Sequence, residues 1–180
     1  PTARRHCVMI PYGRQSIDQA DIDAVVQVLK SDWLTQGPTI ERFEAAMAER
    51  CEAGFGIAVC NATAALHIAC LAAGLGEGDV LWTSPNTFLA SANCGRYCGA
   101  EVDFVDIDPK TFNMDPADLE RKIQRVKGNR NLRARAVIPV DLYGLPADYA
   151  GIQDVADAHG GGAHGRAVRG GGGDGLRTGH

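Results

Sequence analysis

Short apolar runs rich in β-branched residues alternate with helix-like stretches from Phe55 onward, and this alternation is the strongest constraint on the fold. The runs are FGIAVC, DVLWTS, EVDFVDI and AVIPV. Between them, apolar residues recur at helical spacing, as at Leu119, Ile123 and Val126. Because the runs are continuous and not strictly alternating, they are typical of parallel strands buried on both faces. The sequence therefore predicts an α/β fold, with helices on both sides of a mostly parallel sheet.

Two helices are predicted to precede the sheet. Ser16 and Gln19 have capping-box spacing, and apolar residues follow at i, i+3, i+4 and i+7 over residues 17–30. The turn-forming segment SDWLTQGP separates this helix from a second, which ends near Cys51. Further helices are predicted in TAALHIACLAAG, in the segment that ends near Tyr97, over residues 116–127, and up to His159.

The alternating pattern stops at Gly160. Ten of the last 21 residues are glycine, at a point where the alternation predicts another apolar strand. We interpret residues 161–180 as a non-native or disordered tail, such as a shifted reading frame would produce. A flexible linker or a basic RNA-binding segment is the alternative. The predicted organisation is an N-terminal extension over residues 1–15, a domain over residues 16–160, and this tail.

Charge and cysteine usage argue against several classes of protein. Lys and Arg number 18 against 22 Asp and Glu, a formal net charge of −4 that argues against nucleic acid or an anionic membrane as partner. The basic stretch ERKIQRVKGNRNLRAR has no interleaved aromatic residue and reads as a solvated helix end and loop. The six cysteines lack even spacing and any C-x-x-C, which predicts reduced thiols, no metal site and a cytoplasmic location.

The segment CNATAAL, residues 60–66, lies between a predicted buried strand and the start of a helix. Free N–H groups of the first helical turn, the Thr63 hydroxyl and the positive end of the helix dipole suit a phosphate. The alternative is that Asn61 or Thr63 simply caps the helix. The segment lacks the glycines of a dinucleotide fold and the G-K-[ST] of a P-loop, so neither NAD nor ATP is indicated.

A second candidate position follows the next predicted strand, DVLWTS. Phe88 comes just after its carboxyl end, and in parallel sheets that edge faces the ligand crevice. The Phe88 ring can offer its face to a planar cofactor bound at the same edge as Thr63. The alternative is a core phenylalanine that packs under the following helix.

Five segments occur in one order: MIPYGRQSI, DWLTQGP, NATAALHIACLAAGLGEGD, TSPNTFLASANCGRYCGAEVDFVDID and VIPVDLYGLPAD. Together, from Met9 to about Gly160, they resemble the DegT/StrS family of sugar aminotransferases. TSPNTFLASANCG and DWLTQGP look most like the family's 4-aminotransferases, which act on UDP-4-keto-6-deoxy-N-acetylhexosamine in pseudaminic acid biosynthesis.

The resemblance implies a pyridoxal 5′-phosphate enzyme with the three-layer large domain of the aspartate aminotransferase type, truncated in this chain. It further implies a homodimer with active sites at the subunit interface, and transfer of an amino group from glutamate to C4 of the keto sugar. Two alternatives stay open. One is a sugar 3-dehydratase of the same family, in which His replaces the Schiff-base lysine; the other is a cofactor-binding remnant without turnover.

Site residues carry over from the family by motif. Thr63 and Ala64 look like donors to the cofactor phosphate, and Phe88 looks like the ring that stacks on the pyridine. The positions that look like the lining of the sugar-nucleotide site are Tyr12, Asp32, Trp33, Leu34, Thr35 and Ala62.

The catalytic lysine and the acidic partner of the pyridine nitrogen lie, in the family, beyond the point where this sequence becomes glycine-rich. We therefore assign no catalytic residue in this chain. Its only lysines are Lys30, Lys110, Lys122 and Lys127.

Overall fold

The computed structural model describes residues 15–159. Tyr12 and the glycine-rich residues 161–180 lie outside the described residues. The described elements, in chain order, are α1 (Gln19–Leu29), α2 (Pro38–Arg50), α3 (Ala62–Ala72), β1 (Asp79–Thr83), α4 (Ala90–Tyr97), β2 (Glu101–Phe104), α5 (Pro116–Lys127), β3 (Arg133–Ile138) and α6 (Tyr149–Ala158).

The three strands form a parallel sheet in the order β2-β1-β3. Central β1 pairs Leu81 with Val102 on one side and with Ala136 on the other, and all five of its residues are buried. Leu81 faces one core cluster, while Val80 and Trp82 face the other, as the pleat of a strand requires. The α/β prediction with a parallel sheet is confirmed.

Each face of the sheet has its own helical layer. The first layer is α3 and α4, whose cluster consists of Cys70, Leu75, Leu81, Cys94, Ala100, Ala136 and Ile138. The second is α5 and α6, whose cluster consists of Val80, Trp82, Val105, Met114, Leu119, Ile123, Ala147 and Ile152. Both faces of β1 are therefore covered, and burial of apolar area on the two faces is the main force holding the layers together.

Two arginines of the basic stretch tie β3 to the chain that leads into β1. Arg135 Nη2 donates to the Ala73 carbonyl at 2.7 Å, and Arg133 Nε forms an ion pair with Asp79 Oδ1 at 2.8 Å. These guanidinium groups bind the protein's own oxygens, which supports the structural interpretation of the stretch over a nucleic-acid patch.

Three expectations about element bounds are wrong. FGIAVC forms no strand, because a strand exists only through its ladder and this run pairs with none of the described strands; Phe55 is 90% exposed. β3 ends at Ile138, not at Val140, since Pro139 has no N–H to continue the ladder. The capping box of α1 is formed by Asp18 and Asp21, not by Ser16 and Gln19.

The two N-terminal helices form as predicted but contribute no buried residue. Their apolar side chains are exposed, notably at Ile22, Val25, Leu29, Phe43 and Met47. The Ala58 amide donates to Glu44 Oε1 at 2.8 Å and joins α2 to the segment before α3. Among residues 15–159, no helix has the length and apolarity needed to cross a membrane.

Candidate functional site

The topology opens a crevice at the carboxyl end of β1. The chain leaves β1 for α4 on one face of the sheet, whereas β2 and β3 lead to α5 and α6 on the other. Loops that diverge in this way leave the ligand crevice of open α/β sheets between them. Because α3 lies beside α4 and its C-terminus leads into β1, the N-terminus of α3 lies at the same edge.

The N-terminus of α3 supplies free donors at this edge. Asn61 has an extended backbone, and its Oδ1 accepts the Ala64 amide at 2.9 Å, so Asn61 does cap the helix. The amides of Ala62 and Thr63 have no acceptor within residues 15–159, and the Thr63 side chain is only half-buried. Capping and anion binding are compatible here, because the cap uses the Ala64 amide and leaves the two preceding ones free.

The predicted role of Ala64 as a donor to the phosphate would require a rearrangement of this cap. Its amide already donates to Asn61, so an anion would reach it only by displacing the Asn61 side chain. The free donors of the first turn are the amides of Ala62 and Thr63 and the Thr63 hydroxyl.

Phe88 extends from the loop after β1 with 78% of its surface exposed. Within residues 15–159 the ring is not packed in a core, which argues against the core-packing alternative. The loop itself is held at both ends: Thr83 Oγ1 donates to the Ile138 carbonyl at 2.9 Å, and the Thr87 and Ser91 hydroxyls are 2.9 Å apart. The Phe88 ring is thus an open apolar surface on an anchored loop.

Ser84 lies at the floor of the crevice, directly after β1. It is 1% exposed, and its Oγ has no hydrogen-bond partner among the described residues. A buried hydroxyl without a partner is unfavourable unless a ligand or water completes its hydrogen bonds. Sequence reasoning did not single out Ser84, because a serine after a strand is an ordinary turn former.

The carboxylates near this edge are engaged in structure. Burial raises the pKa of Asp118, but the Asp106 amide and the Arg121 guanidinium outweigh burial and hold that pKa below its usual value. The amides of Thr111 and Lys110 similarly lower the pKa of Asp108. Both carboxylates are acceptors that shape the loop after β2, and neither has the raised pKa of a general acid.

The cysteines and His67 have structural surroundings. Cys70 and Cys94 are buried in the α3–α4 core, where the contact with Cys94 and burial hold the pKa of the Cys70 thiol well above its usual range. His67 meets the Tyr97 ring edge-on at a centroid distance of 5.3 Å. Within the part of the chain that the structure describes, no group of three or more His, Cys, Asp or Glu could hold a metal ion.

The structure thus brings Ala62, Thr63 and Phe88 to one edge of the sheet. It leaves the predicted substrate-lining residues 32–35 on the connection between α1 and α2, where all four are exposed. Trp33 is 59% exposed and Leu34 66% exposed. Their part in a site stays a prediction, as does that of Tyr12.

Comparison with known proteins assigns this arrangement to a family. Residues 15–161 match the DegT/DnrJ/EryC1/StrS aminotransferase family. The chain is 38% identical over 151 residues to the spore coat polysaccharide biosynthesis protein SpsC of Bacillus subtilis, a match that covers 84% of this chain and 37% of SpsC. It is 40% identical over 144 residues to the GDP-perosamine synthase of Caulobacter vibrioides, covering 79% of this chain and 37% of that protein.

A solved structure shows the same fold. The sugar aminotransferase family member Spr1654 of Streptococcus pneumoniae, in its PMP form, superposes with a TM-score of 0.76 at 30% identity, covering 83% of this chain and 36% of that one. Spr1654 is also known in a PLP form. The chain spans a little over a third of the length of the curated relatives it matches.

Proposed function

Because the chain belongs to the DegT/DnrJ/EryC1/StrS aminotransferase family, we propose that the whole protein transfers an amino group from glutamate to C4 of a UDP-4-keto-6-deoxy-N-acetylhexosamine. The described residues supply the end of the site that binds the cofactor phosphate and ring. The observation that carries this proposal is the pairing of an open Phe88 ring with unpaired donors at the start of α3, both at the carboxyl edge of β1.

The cofactor of this family is pyridoxal 5′-phosphate, and the residues present fit it. When bound, this cofactor supplies an electron sink for negative charge that develops on the substrate carbon. The amides of Ala62 and Thr63, with the Thr63 hydroxyl, would hold its phosphate at the positive end of the α3 dipole. Ala64 joins them once the Asn61 side chain moves aside.

Phe88 has the second role in this proposal. Its exposed ring would stack on the planar pyridine, fixing the plane of the cofactor relative to the sheet. The buried Ser84 hydroxyl, which has no partner within residues 15–159, would gain one at the floor of the same crevice. These residues bind and orient; none of them is proposed to move the substrate proton.

The substrate proposal rests on sequence motifs. DWLTQGP and TSPNTFLASANCG favour a UDP-linked N-acetyl sugar, and residues 32–35, Ala62 and Tyr12 are proposed to contact it. One relative is a GDP-perosamine synthase, so the experiment must distinguish a UDP-linked sugar from a GDP-linked one. We also propose a homodimer, which the exposed apolar faces of α1 and α2 support. A cytoplasmic location stays a prediction from the cysteine pattern.

The test uses the 180-residue chain in equilibrium dialysis against pyridoxal phosphate, followed by calorimetric titration with UDP-N-acetylglucosamine and with GDP-mannose as probes. We expect saturable cofactor binding, competition by inorganic phosphate, and tighter binding of the UDP sugar. Tighter binding of the GDP sugar would contradict the substrate assignment and leave the cofactor assignment intact. Absence of competition by phosphate would contradict the phosphate site at α3.

A further inference from the structure

The turn after β3 presents an aromatic ring in a strained conformation. Tyr143 has φ 54° and ψ 26°, the left-handed region, and the residue is 90% exposed. A left-handed backbone costs energy at any residue with a β-carbon, and glycine or asparagine would relieve most of that cost. A large ring kept in this conformation without being buried is not explained by packing.

The strain is maintained by two buried or half-buried polar side chains. Asn113, only 2% exposed, accepts the Leu142 amide at 3.0 Å and donates to the Leu145 carbonyl at 2.9 Å, so it holds the turn on both sides of Tyr143. Asp141 Oδ1 accepts the Ala147 amide and the Tyr149 hydroxyl, each at 2.9 Å. Strained residues that their surroundings hold in this way cluster at ligand sites.

The position of the turn relative to the crevice indicates which ligand Tyr143 would contact. β1 and β3 are paired neighbours, so the loops that carry Phe88 and Tyr143 leave the same edge of the sheet from adjacent strands. The chain turns from β1 toward α4 and from β3 toward α6, on opposite faces. Phe88 and Tyr143 therefore stand on the two sides of the crevice, and Phe88 already has the cofactor ring as its proposed partner.

We infer that Tyr143 stacks on the nucleoside base of the sugar nucleotide, and that Asn113 is the positioning residue that holds it there. The inference rests on the proposed function, because it takes the crevice to be the site of a sugar nucleotide. An exposed aromatic face is the feature that binds a planar base without needing a particular hydrogen-bond pattern. The Tyr143 hydroxyl has no partner within residues 15–159 and is not required for stacking.

The test is calorimetric titration of the 180-residue chain with UDP and with UDP-N-acetylglucosamine. Tyr143→Ala should weaken both probes by about 5- to 150-fold, the usual range for loss of one base–aromatic stack. Tyr143→Phe should stay within about twofold of the parent because the ring is kept. Tyr97→Ala is the matched control, since Tyr97 is 55% exposed at the C-terminal end of α4, away from the crevice.

Two further variants separate a positioning role from a purely structural one. Tyr143→Asn, which tolerates the left-handed conformation, should leave the thermal midpoint unchanged or higher while weakening the probes as Tyr143→Ala does. Asn113→Ala should weaken the probes as well, and the double variant Asn113→Ala/Tyr143→Ala should show no further loss, since both changes remove one interaction.

Equal affinity of Tyr143→Ala and the parent for UDP would overturn the inference. A loss confined to UDP-N-acetylglucosamine would also overturn it, because the contact would then be to the sugar. Pyridoxal phosphate binding, measured in parallel, distinguishes failure of the inference from failure of the proposed function. If cofactor binding persists and depends on Thr63 and Phe88, only the inference has failed. If the parent chain binds neither cofactor nor nucleotide, the proposed function and the inference fail together.

Discussion

At the scale of single residues, the candidate site is built from side chains whose removal should cost little stability. Phe88 is largely exposed, and the amide and hydroxyl of Thr63 make no hydrogen bond within residues 15–159. Substitutions of these side chains can therefore be read mainly as effects on ligand binding, since they remove no hydrogen bond of the folded state. Two predictions use this separation.

Thr63→Val should weaken pyridoxal phosphate binding by about 1.5–3 kcal/mol, the value of one hydrogen bond to a charged group. Dissociation constants from equilibrium dialysis measure it. Thr39→Val is the matched control, because Thr39 is likewise the second residue of a helix and is exposed on α2. Unchanged cofactor affinity in Thr63→Val would remove this hydroxyl from the phosphate site.

Phe88→Ala should weaken cofactor binding by about 0.5–1.5 kcal/mol, the contribution of an aromatic pair beyond its buried area, with almost no change in thermal midpoint. Phe88→Trp should retain affinity because it keeps a π-face. Fluorescence titration with pyridoxal phosphate and a thermal melt measure the two effects. Equal loss of affinity in both variants would show that the ring does not stack.

At the scale of elements, the helical layer of α3 and α4 lies on the sheet at a distance set by glycine. A β-carbon on Gly95 would lie 3.1 Å from Val102 Cγ2 and 3.2 Å from Leu81 Cβ, both rigid core atoms. This close approach positions α4, and through it the Phe88 loop, against β1.

Gly95→Ala should destabilise the fold by about 1–3 kcal/mol through overpacking. Urea unfolding followed by far-UV circular dichroism measures the change. Gly128→Ala is the control: its nearest atom, the Arg125 carbonyl oxygen, is 3.5 Å away, and its φ of −73° suits alanine. A stability loss at Gly128 as large as that at Gly95 would contradict overpacking as the cause.

Asp118 links α5 to the loop after β2. Its folded-state pKa lies below its unfolded value, so its carboxylate contributes stability above about pH 4, and that contribution is lost as pH falls through the folded pKa. Asp118→Asn should therefore reduce stability by about 1–2 kcal/mol at pH 7 and by less at pH 3. Urea unfolding of the parent and the variant at the two pH values measures this difference in stability loss. Asp154→Asn, on the exposed side of α6, is the control and should show no such loss of stability.

At the scale of the whole molecule, the described core covers both faces of β1 but leaves α1 and α2 uncovered. Neither helix has a buried residue, and their apolar faces meet no partner layer within residues 15–159. Exposed apolar faces of this kind promote association. We therefore expect the 180-residue chain to be marginally stable and prone to aggregate.

Borohydride reduction of the chain mixed with pyridoxal phosphate should label no single lysine stoichiometrically, and the chain alone should not transfer amino groups from glutamate. The Lys122 ammonium is paired with Asp103 at 3.1 Å, while Lys30 follows α1, Lys127 ends α5 and Lys110 lies on the loop after β2. Peptide mapping after reduction measures the labelling. One fully labelled lysine together with turnover would contradict the prediction and identify a catalytic lysine in this chain.

The sequence by itself determined the elements whose signals are local. α5 covers residues 116–127 as predicted, because Asp115 caps it, Pro116 starts it and Gly128 follows it. The α/β class, the edge of the sheet that carries Thr63 and Phe88, and the family resemblance were also readable, since periodicity and motifs are properties of short segments.

Only the tertiary structure decided what depends on neighbours. FGIAVC has the composition of a strand but no partner strand, and a strand exists only through its ladder. The exposure of Phe88 and the lack of a partner for Ser84 follow from how loops pack, which no local pattern specifies. The hydrogen bonds by which Asn113 holds the turn around Tyr143 join positions about 30 residues apart. They depend on the placement of β2 and β3 on either side of β1, which no local pattern gives.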